Sequence, residues 1–136
     1  MKKAILIPNK SVGDISLGDF ITNYLNRQYA YHPKGDLYLE DLYTFDTPKA
    51  DVFVDEDKKI TTINCTVECI WKDVDLIKMQ FSQFLALANI QPDSAEKIYL
   101  LVNNKGQNQT VYTFESLGLQ IWVWRNRIVT VSATVY

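Results

Sequence analysis

This chain of 136 residues has little of the chemistry that most enzymes and metal proteins use. It contains one histidine, His32, and two cysteines, Cys65 and Cys69. A catalytic triad needs a histidine with defined partners, and a four-coordinate zinc site needs a second pair of cysteines or histidines, which the sequence lacks. We therefore predict a protein that is not an enzyme, holds no metal and needs no cofactor.

Long hydrophobic runs are missing too. The apolar run nearest the N-terminus covers only residues 4–7, which is too short for a signal peptide or a membrane span. We therefore expect a cytoplasmic protein without a membrane partner. On one extended strand, the Cα atoms of Cys65 and Cys69 would lie about 13 Å apart, beyond disulfide reach. We expect both cysteines to be reduced, as small apolar side chains on a buried face.

The net charge is small, −2, but the charges are unevenly distributed. Residues 36–75 carry eleven acidic and four basic residues, whereas the rest of the chain carries five acidic and ten basic residues. An acidic surface repels nucleic acid and attracts basic protein surfaces, so we predict a protein partner and no direct nucleic-acid binding. The candidate partner-binding residues are Glu40, Asp41, Asp51, Asp55, Glu56 and Asp57.

The chain also nearly repeats itself. Residues 43–67 read YTFDTPKADVFVDEDKKITTINCTV, and residues 112–135 read YTFESLGLQIWVWRNRIVTVSATV. With one residue dropped in the turn, the YTF triplets coincide, and Val54 aligns with Val123. We interpret this pattern as two related units.

Apolar residues at helical spacing precede each copy. They predict one helix over residues 18–27 and another within residues 74–90, with Asp73 or Asp75 as its N-cap. Strands are predicted at 37–45, 50–54, 59–70, 97–102, 109–114, 118–124 and 127–135, with a loop over 103–108.

These elements predict an α+β fold. Two tandem helix-plus-antiparallel-meander units, about residues 1–71 and 72–136, would form a single domain over residues 1–136. The units would share one sheet, with both helices packed on one face.

Aromatic residues provide a second candidate site. Trp122 and Trp124 alternate on one predicted strand and therefore face the same way, next to Arg125 and Arg127. Such a stripe can pack under a helix, anchor a protein partner or stack on a flat ring. With Trp71, these two tryptophans form the candidate pocket for a small molecule or a peptide.

Two short segments resemble the unit openings of small bacterial proteins with helix-plus-meander repeats: Gly13-Asp14-Ile15-Ser16-Leu17-Gly18, and Asp75-Leu76-Ile77-Lys78-Met79 leading into Phe84-Leu85. The tandem arrangement resembles the beta-lactamase inhibitor proteins and their single-unit relatives. Small acidic chains of this type also resemble immunity proteins of bacterial toxin systems, including contact-dependent growth inhibition. Lys78 departs from the pattern, because a glycine there would match the first copy. The resemblance transfers no functional residue.

The leading hypothesis is an immunity protein that binds and neutralises a cognate bacterial toxin of the nuclease class. An acidic surface would steer onto the basic surroundings of such an active site. The alternative is a small-molecule or peptide-binding module with an aromatic pocket. A third hypothesis, a hydrolase with dispersed residues, requires His32 or carboxylates in a cleft. An open sheet edge would permit a homodimer.

Overall fold

The computed structural model of the protein describes residues 3–35 and 38–135. Its strands are β1 (Leu6–Ile7), β2 (Ser11–Val12), β3 (Ile15–Ser16), β4 (Tyr29–His32), β5 (Asp41–Asp46), β6 (Lys49–Val54), β7 (Ile60–Cys65), β8 (Ile70–Trp71), β9 (Val74–Asp75), β10 (Ser94–Val102), β11 (Lys105–Phe114), β12 (Leu119–Trp124) and β13 (Arg127–Thr134). Helix α1 (Phe81–Ala88) lies between β9 and β10, and 3₁₀ helices cover Ile21–Tyr24 and Glu115–Leu117. Within residues 3–35 and 38–135, no helix is long and apolar enough to cross a membrane.

Eight strands form one antiparallel sheet in the order β10-β11-β12-β13-β7-β6-β5-β4. The meanders β5–β6–β7 and β11–β12–β13 meet at its centre, where β13 pairs with β7 and Val131 lies opposite Cys65. Next to this pair, the hydroxyl oxygens of Thr62 and Thr134 lie 3.2 Å apart. The short strands β1–β3 and β8–β9 form two small separate sheets.

The prediction of an α+β fold made of two helix-plus-meander units is wrong. Of the described residues, 53% lie in strands and 11% in helices. The helix predicted over residues 18–27 is only the 3₁₀ turn Ile21–Tyr24, and the one predicted within residues 74–90 is reduced to α1. The antiparallel sheet is confirmed. The strand predicted over residues 37–45 begins at Leu37, which lies outside the described residues, as does Asp36 of the acidic segment.

Left-handed backbone explains why both helices begin late. Gly18 has φ of 84° and Lys78 has φ of 72°, values that a right-handed helix does not contain. Their backbone N–H groups donate to Ile60 O at 2.8 Å and to Ile128 O at 2.7 Å. The segments before Ile21–Tyr24 and α1 are therefore tied to the starts of β7 and β13 instead of continuing a helix.

The predicted N-cap of α1 differs for the same reason. Gln80 occupies the N-cap, without a side-chain hydrogen bond. Asp75 lies further back, where its Oδ1 accepts the backbone N–H groups of Cys69 and Ile77, both at 3.0 Å. Leu76 and Ile77 lie in this segment before α1 and are buried in the core. Together with the apolar residues of α1 they gave the sequence a helical pattern that began too early.

One face of the sheet carries the hydrophobic core. Phe84 of α1 is fully buried, with its ring centroid 5.3 Å from that of Phe114 in β11. Phe81 stacks on Tyr112 with the centroids 4.0 Å apart. Residues of β1–β3 and of β8, among them Trp71, belong to the same cluster. Because side chains alternate along a strand, every second residue of the eight-stranded sheet lies on the face opposite the core.

The two cysteines are reduced and fully buried. The expected separation on one strand is wrong, because β7 ends at Cys65 and the chain then turns back. Cys69 shares a hydrogen bond with Cys65, and this bond together with burial raises the pKa of the Cys69 thiol far above its ordinary value. Both side chains belong to the hydrophobic core.

Candidate functional site

A surface cavity of about 520 Å³ lies on the face of the sheet opposite the core, and we call it the ring cavity. Five neighbouring strands and the turn after β7 contribute its lining: Asn64, Thr66, Leu100, Val102, Gln107, Gln109, Trp122, Trp124, Val129 and Thr130. The cavity is therefore built by strand pairings between distant parts of the chain.

Strand alternation and a β-bulge direct side chains into the ring cavity. In β12, Val123 belongs to the core, whereas Trp122 and Trp124 line the cavity. The register of β12 and β13 shifts between Trp122 and Val123, which leaves Val129 without an opposite residue. Val129 and Thr130 therefore both line the cavity, although they are neighbours in sequence.

Three buried polar atoms of cavity residues have no hydrogen-bond partner in the described part of the chain: Asn64 Oδ1, Gln109 Oε1 and Trp122 Nε1. Gln109 is only 5% exposed, and its amide nitrogen donates to Gln107 Oε1 at 3.0 Å. A buried polar atom without a partner costs about 1–3 kcal/mol, so folded proteins contain few of them. These two acceptors and one donor belong to three residues that line the same cavity.

A second cavity, of about 530 Å³, adjoins the first, because Trp124 and Val129 line both. We call it the basic cavity, since Lys78, Arg125 and Arg127 also line it. The Arg125 guanidinium lies 4.4 Å from the centroid of the Trp124 ring. Arg127 Nη1 donates to the backbone carbonyl of Lys78 at 3.1 Å. Uncharged groups therefore hold both guanidinium groups in place.

The cations of the basic cavity are not neutralised. Within residues 3–35 and 38–135, neither Lys78 nor Arg125 nor Arg127 forms an ion pair. The third arginine of the protein, Arg27, differs, because its Nη2 lies 2.6 Å from Asp14 Oδ2. Three positive charges at one end of the ring cavity are therefore available to an anion.

The predicted acidic surface is mostly engaged in internal contacts. Four of its six residues line a third cavity of about 350 Å³ together with Lys34 and Lys58: Glu40, Asp41, Asp55 and Glu56. Asp41 Oδ2 accepts from Lys58 Nζ at 3.1 Å, and Asp41 Oδ1 accepts the backbone N–H of Lys34 at 2.9 Å. Lys34 Nζ lies 3.6 Å from Glu56 Oε1. The carboxylates are thus interleaved with cations.

The hairpin turn after β6 uses a further carboxylate. Asp55 Oδ1 accepts the backbone N–H groups of Asp57 at 2.9 Å and of Lys59 at 3.0 Å. Glu40 Oε1 accepts from the Thr61 hydroxyl at 3.1 Å. Asp55 therefore stabilises its own turn, whereas Glu56 and Asp57 are exposed there.

The electrostatic consequence is clearest at Asp41. The Lys34 backbone N–H and then the Lys58 ammonium lower the pKa of the Asp41 carboxyl below its ordinary value. The same contact raises the pKa of the Lys58 ammonium. Both groups remain charged and paired, which reduces what Asp41 can contribute to steering a basic partner.

The remaining predicted residues lie apart from one another. Asp51 sits in mid-strand between Thr44 and Asn64, away from the other acids. Trp71 lies on the core side, with its ring centroid 5.9 Å from that of Phe84, so it does not join Trp122 and Trp124. His32 ends β4. In the described chain, no group of three His, Cys, Asp or Glu residues is arranged to hold a metal ion.

The sequence analysis missed the amide residues of the ring cavity. Gln107 fell within the predicted loop 103–108, whereas the real turn is only Asn103 and Asn104, both with positive φ. Asparagine tolerates the left-handed backbone that a two-residue hairpin turn requires, so Asn103-Asn104 could have extended both strands. Gln109 would then have been placed on the same face as its cavity neighbours.

Comparison with protein-family models, with curated proteins and with solved structures finds no match for this chain. The geometry of its own residues is therefore the basis for assigning a function. Among the cavities described, the ring cavity combines aromatic walls with buried polar atoms that lack partners.

Proposed function

We propose that this protein binds a small organic molecule in the ring cavity. The observation that carries the proposal is the gathering of Asn64 Oδ1, Gln109 Oε1 and Trp122 Nε1, all buried and without partners in the described chain, around one mostly apolar cavity. Ligand sites commonly combine apolar walls with a few convergent polar groups. A ligand that completes these three hydrogen bonds would offset the cost of burying them.

The lining defines the part of the ligand that would enter. Two indole rings favour a flat ring, and Leu100, Val102 and Val129 add apolar contact. The polar atoms require two donors and one acceptor on that ring. No residue that lines the ring cavity is an acid, a base or a thiol, so the cavity offers groups for binding an uncharged ring.

The hypothesis of a toxin-binding immunity protein stays a prediction. It rests on an acidic surface, and carboxylate oxygens of Asp41 and Asp55 accept hydrogen bonds from within the protein. Glu56 and Asp57 remain exposed at the turn and could still contact a protein. The ring cavity supports the small-molecule proposal with buried and directional groups, which is why we favour it.

The proposal is tested by a panel of uncharged compounds followed by ¹⁵N-NMR of the indole and amide side chains. The panel contains adenine, uracil, nicotinamide, a methyl glucoside and an N-acetylated dipeptide amide. We expect a flat heterocycle to shift the indole N–H signal of Trp122 and the side-chain amide of Gln109, and to leave the indole of Trp71 unchanged. Preference for the dipeptide would favour a peptide-binding module instead.

Asn64→Leu removes one of the three polar atoms without opening the cavity. We expect it to weaken binding of the best flat heterocycle by about tenfold, the usual effect of one lost buried hydrogen bond. Glu56→Gln, at the acidic turn, is the matched control and should change nothing. The proposal fails if no compound of the panel perturbs Trp122, or if Asn64→Leu binds as tightly as the unmodified protein.

A further inference from the structure

We infer that the ligand is a phosphate ester, with its ring in the ring cavity and its phosphate in the basic cavity; a nucleoside monophosphate has both parts. The inference rests on the proposed function. It adds a second observation: the basic cavity, which shares Trp124 and Val129 with the ring cavity, holds three cations that form no ion pair with any residue in the described part of the chain. The ring cavity alone does not determine the charge of the ligand, whereas the basic cavity does.

The placement of the guanidinium groups argues for an anion. Arg125 lies against the Trp124 ring and Arg127 donates to a backbone carbonyl, so both are oriented without being neutralised. A planar guanidinium binds phosphate or carboxylate oxygens with two parallel hydrogen bonds. The ammonium of Lys78 adds a third charge at the same place.

The number of charges favours phosphate over carboxylate. The basic cavity carries three cations, and no acid is among the residues that line it. A carboxylate would neutralise one of these charges, whereas a phosphate monoester carries about −1.5 to −2 near neutral pH. The protein as a whole has a net charge of −2, so the positive charge of the basic cavity is a local feature of the surface.

The shared wall makes one ligand sufficient for both cavities. Trp124 presents its ring between them, and its indole is already in contact with Arg125. A base that stacks on the tryptophans would therefore have its phosphate directed towards the guanidinium groups. Amide side chains such as Gln109 and Asn64 suit the mixed donor and acceptor edge of a base.

The test compares adenosine monophosphate, adenosine and inorganic phosphate by isothermal titration calorimetry on the full chain. We expect the monophosphate to bind about tenfold more tightly than adenosine, because charge-assisted hydrogen bonds are the stronger kind. We also expect that advantage to shrink as salt is raised, whereas adenosine binding should barely respond. Inorganic phosphate alone should bind more weakly than the monophosphate.

The double variant Arg125→Ala/Arg127→Ala should abolish the advantage of the monophosphate over adenosine. Lys49→Ala, which removes a cation at the far turn after β5, is the matched control and should bind both compounds normally. The salt series on the unmodified protein tests the same point if the double variant does not fold.

Equal affinities for adenosine and its monophosphate would overturn the inference and leave the proposed function standing. If neither adenosine nor adenosine monophosphate binds, while another uncharged heterocycle still perturbs Trp122, the inference is overturned and the proposed function stands. Failure of the whole panel would remove both proposals. Much tighter binding of a short single-stranded oligonucleotide than of the monophosphate would overturn the assignment to a free small molecule.

Discussion

Gln109 lies within β11 with its side chain 5% exposed, and only its amide nitrogen has a described partner. In a protein selected for stability alone, an apolar residue would fill that position better. The same reasoning applies to Asn64 and Trp122, which line the same cavity and also carry buried polar atoms without a described partner. Binding residues commonly lower stability in this way, so the cost is measurable without knowing the ligand.

Gln109→Leu should raise the free energy of unfolding by about 1 kcal/mol, because it removes a buried oxygen without a partner. Urea unfolding followed by circular dichroism measures the change. Gln107→Leu is the matched control. It removes the acceptor used by Gln109 Nε2, so it should bring no gain. A less stable Gln109→Leu protein would show that the oxygen is satisfied within the fold.

A carboxylate gives the second prediction at this scale. The native pKa of Asp41 is lowered by the Lys34 N–H and by Lys58, so its charged form stabilises the fold. That contribution is present above the unfolded-state pKa of about 3.9 and is lost as the pH falls through the lower native pKa. Asp41→Asn should therefore be less stable than the unmodified protein near neutral pH, and the difference should vanish in acid.

Urea unfolding at a series of pH values measures this difference. Lys58→Met should raise the native pKa of Asp41 only part of the way, because the larger contribution, the Lys34 backbone N–H, is kept. A ¹³C-NMR titration of the Asp41 carboxyl reports that pKa directly. A stability difference that persisted at the acid end of the series would contradict the assignment.

At the scale of elements, most strands of the two meanders were predictable, whereas strand β4 and the starts of the helices were not. Alternation placed Trp122 and Trp124 on one face of β12, and the structure keeps them there. The late start of α1 depends on a left-handed backbone at Lys78, and lysine has no preference for that conformation. A tertiary hydrogen bond from Lys78 N to Ile128 O holds it, and such a bond is invisible in local sequence.

Lys78→Gly should relieve this strain and stabilise the protein by about 1 kcal/mol, because glycine adopts positive φ without steric cost. Gly18 occupies the corresponding place, with φ of 84°. The same change removes one cation, so the affinity for adenosine monophosphate should fall. Asn89→Gly, at the left-handed C-cap of α1, is the control and should gain less, because asparagine tolerates φ of 56°. Loss of stability in Lys78→Gly would contradict the strain argument.

At the scale of the whole molecule, the two halves of the chain make corresponding backbone contacts. Ile21 N donates to Lys58 O, and Phe81 N donates to Asn126 O, both at 2.9 Å. The repeated YTF triplets lie in β5 and β11. The sequence could reveal this relationship because both halves keep the apolar positions. It could not reveal the ring cavity, because that cavity is assembled by strand pairings distant in sequence.

The central pairing of β7 with β13 leads us to expect one cooperative unfolding transition. Ile63→Ala, at a fully buried position of β7, should cost about 2–5 kcal/mol. Tryptophan fluorescence, which reports only on residues 71–124, and circular dichroism should shift together. Val67→Ala is the control, because Val67 is 60% exposed and the change should stay within about 0.5 kcal/mol. Separate transitions for the two probes would show that the halves unfold independently.

The position of β13 in the middle of the sheet has a consequence for how the protein is made. Cys65 faces Val131, a residue that the ribosome adds 66 positions later. Until β13 emerges, the newly made β7 keeps one bare edge, and pairing across so many residues is slow. Nascent chains should therefore need protection from aggregation, and a trigger-factor-type chaperone should raise the yield more than it does for a protein whose central strands are made first.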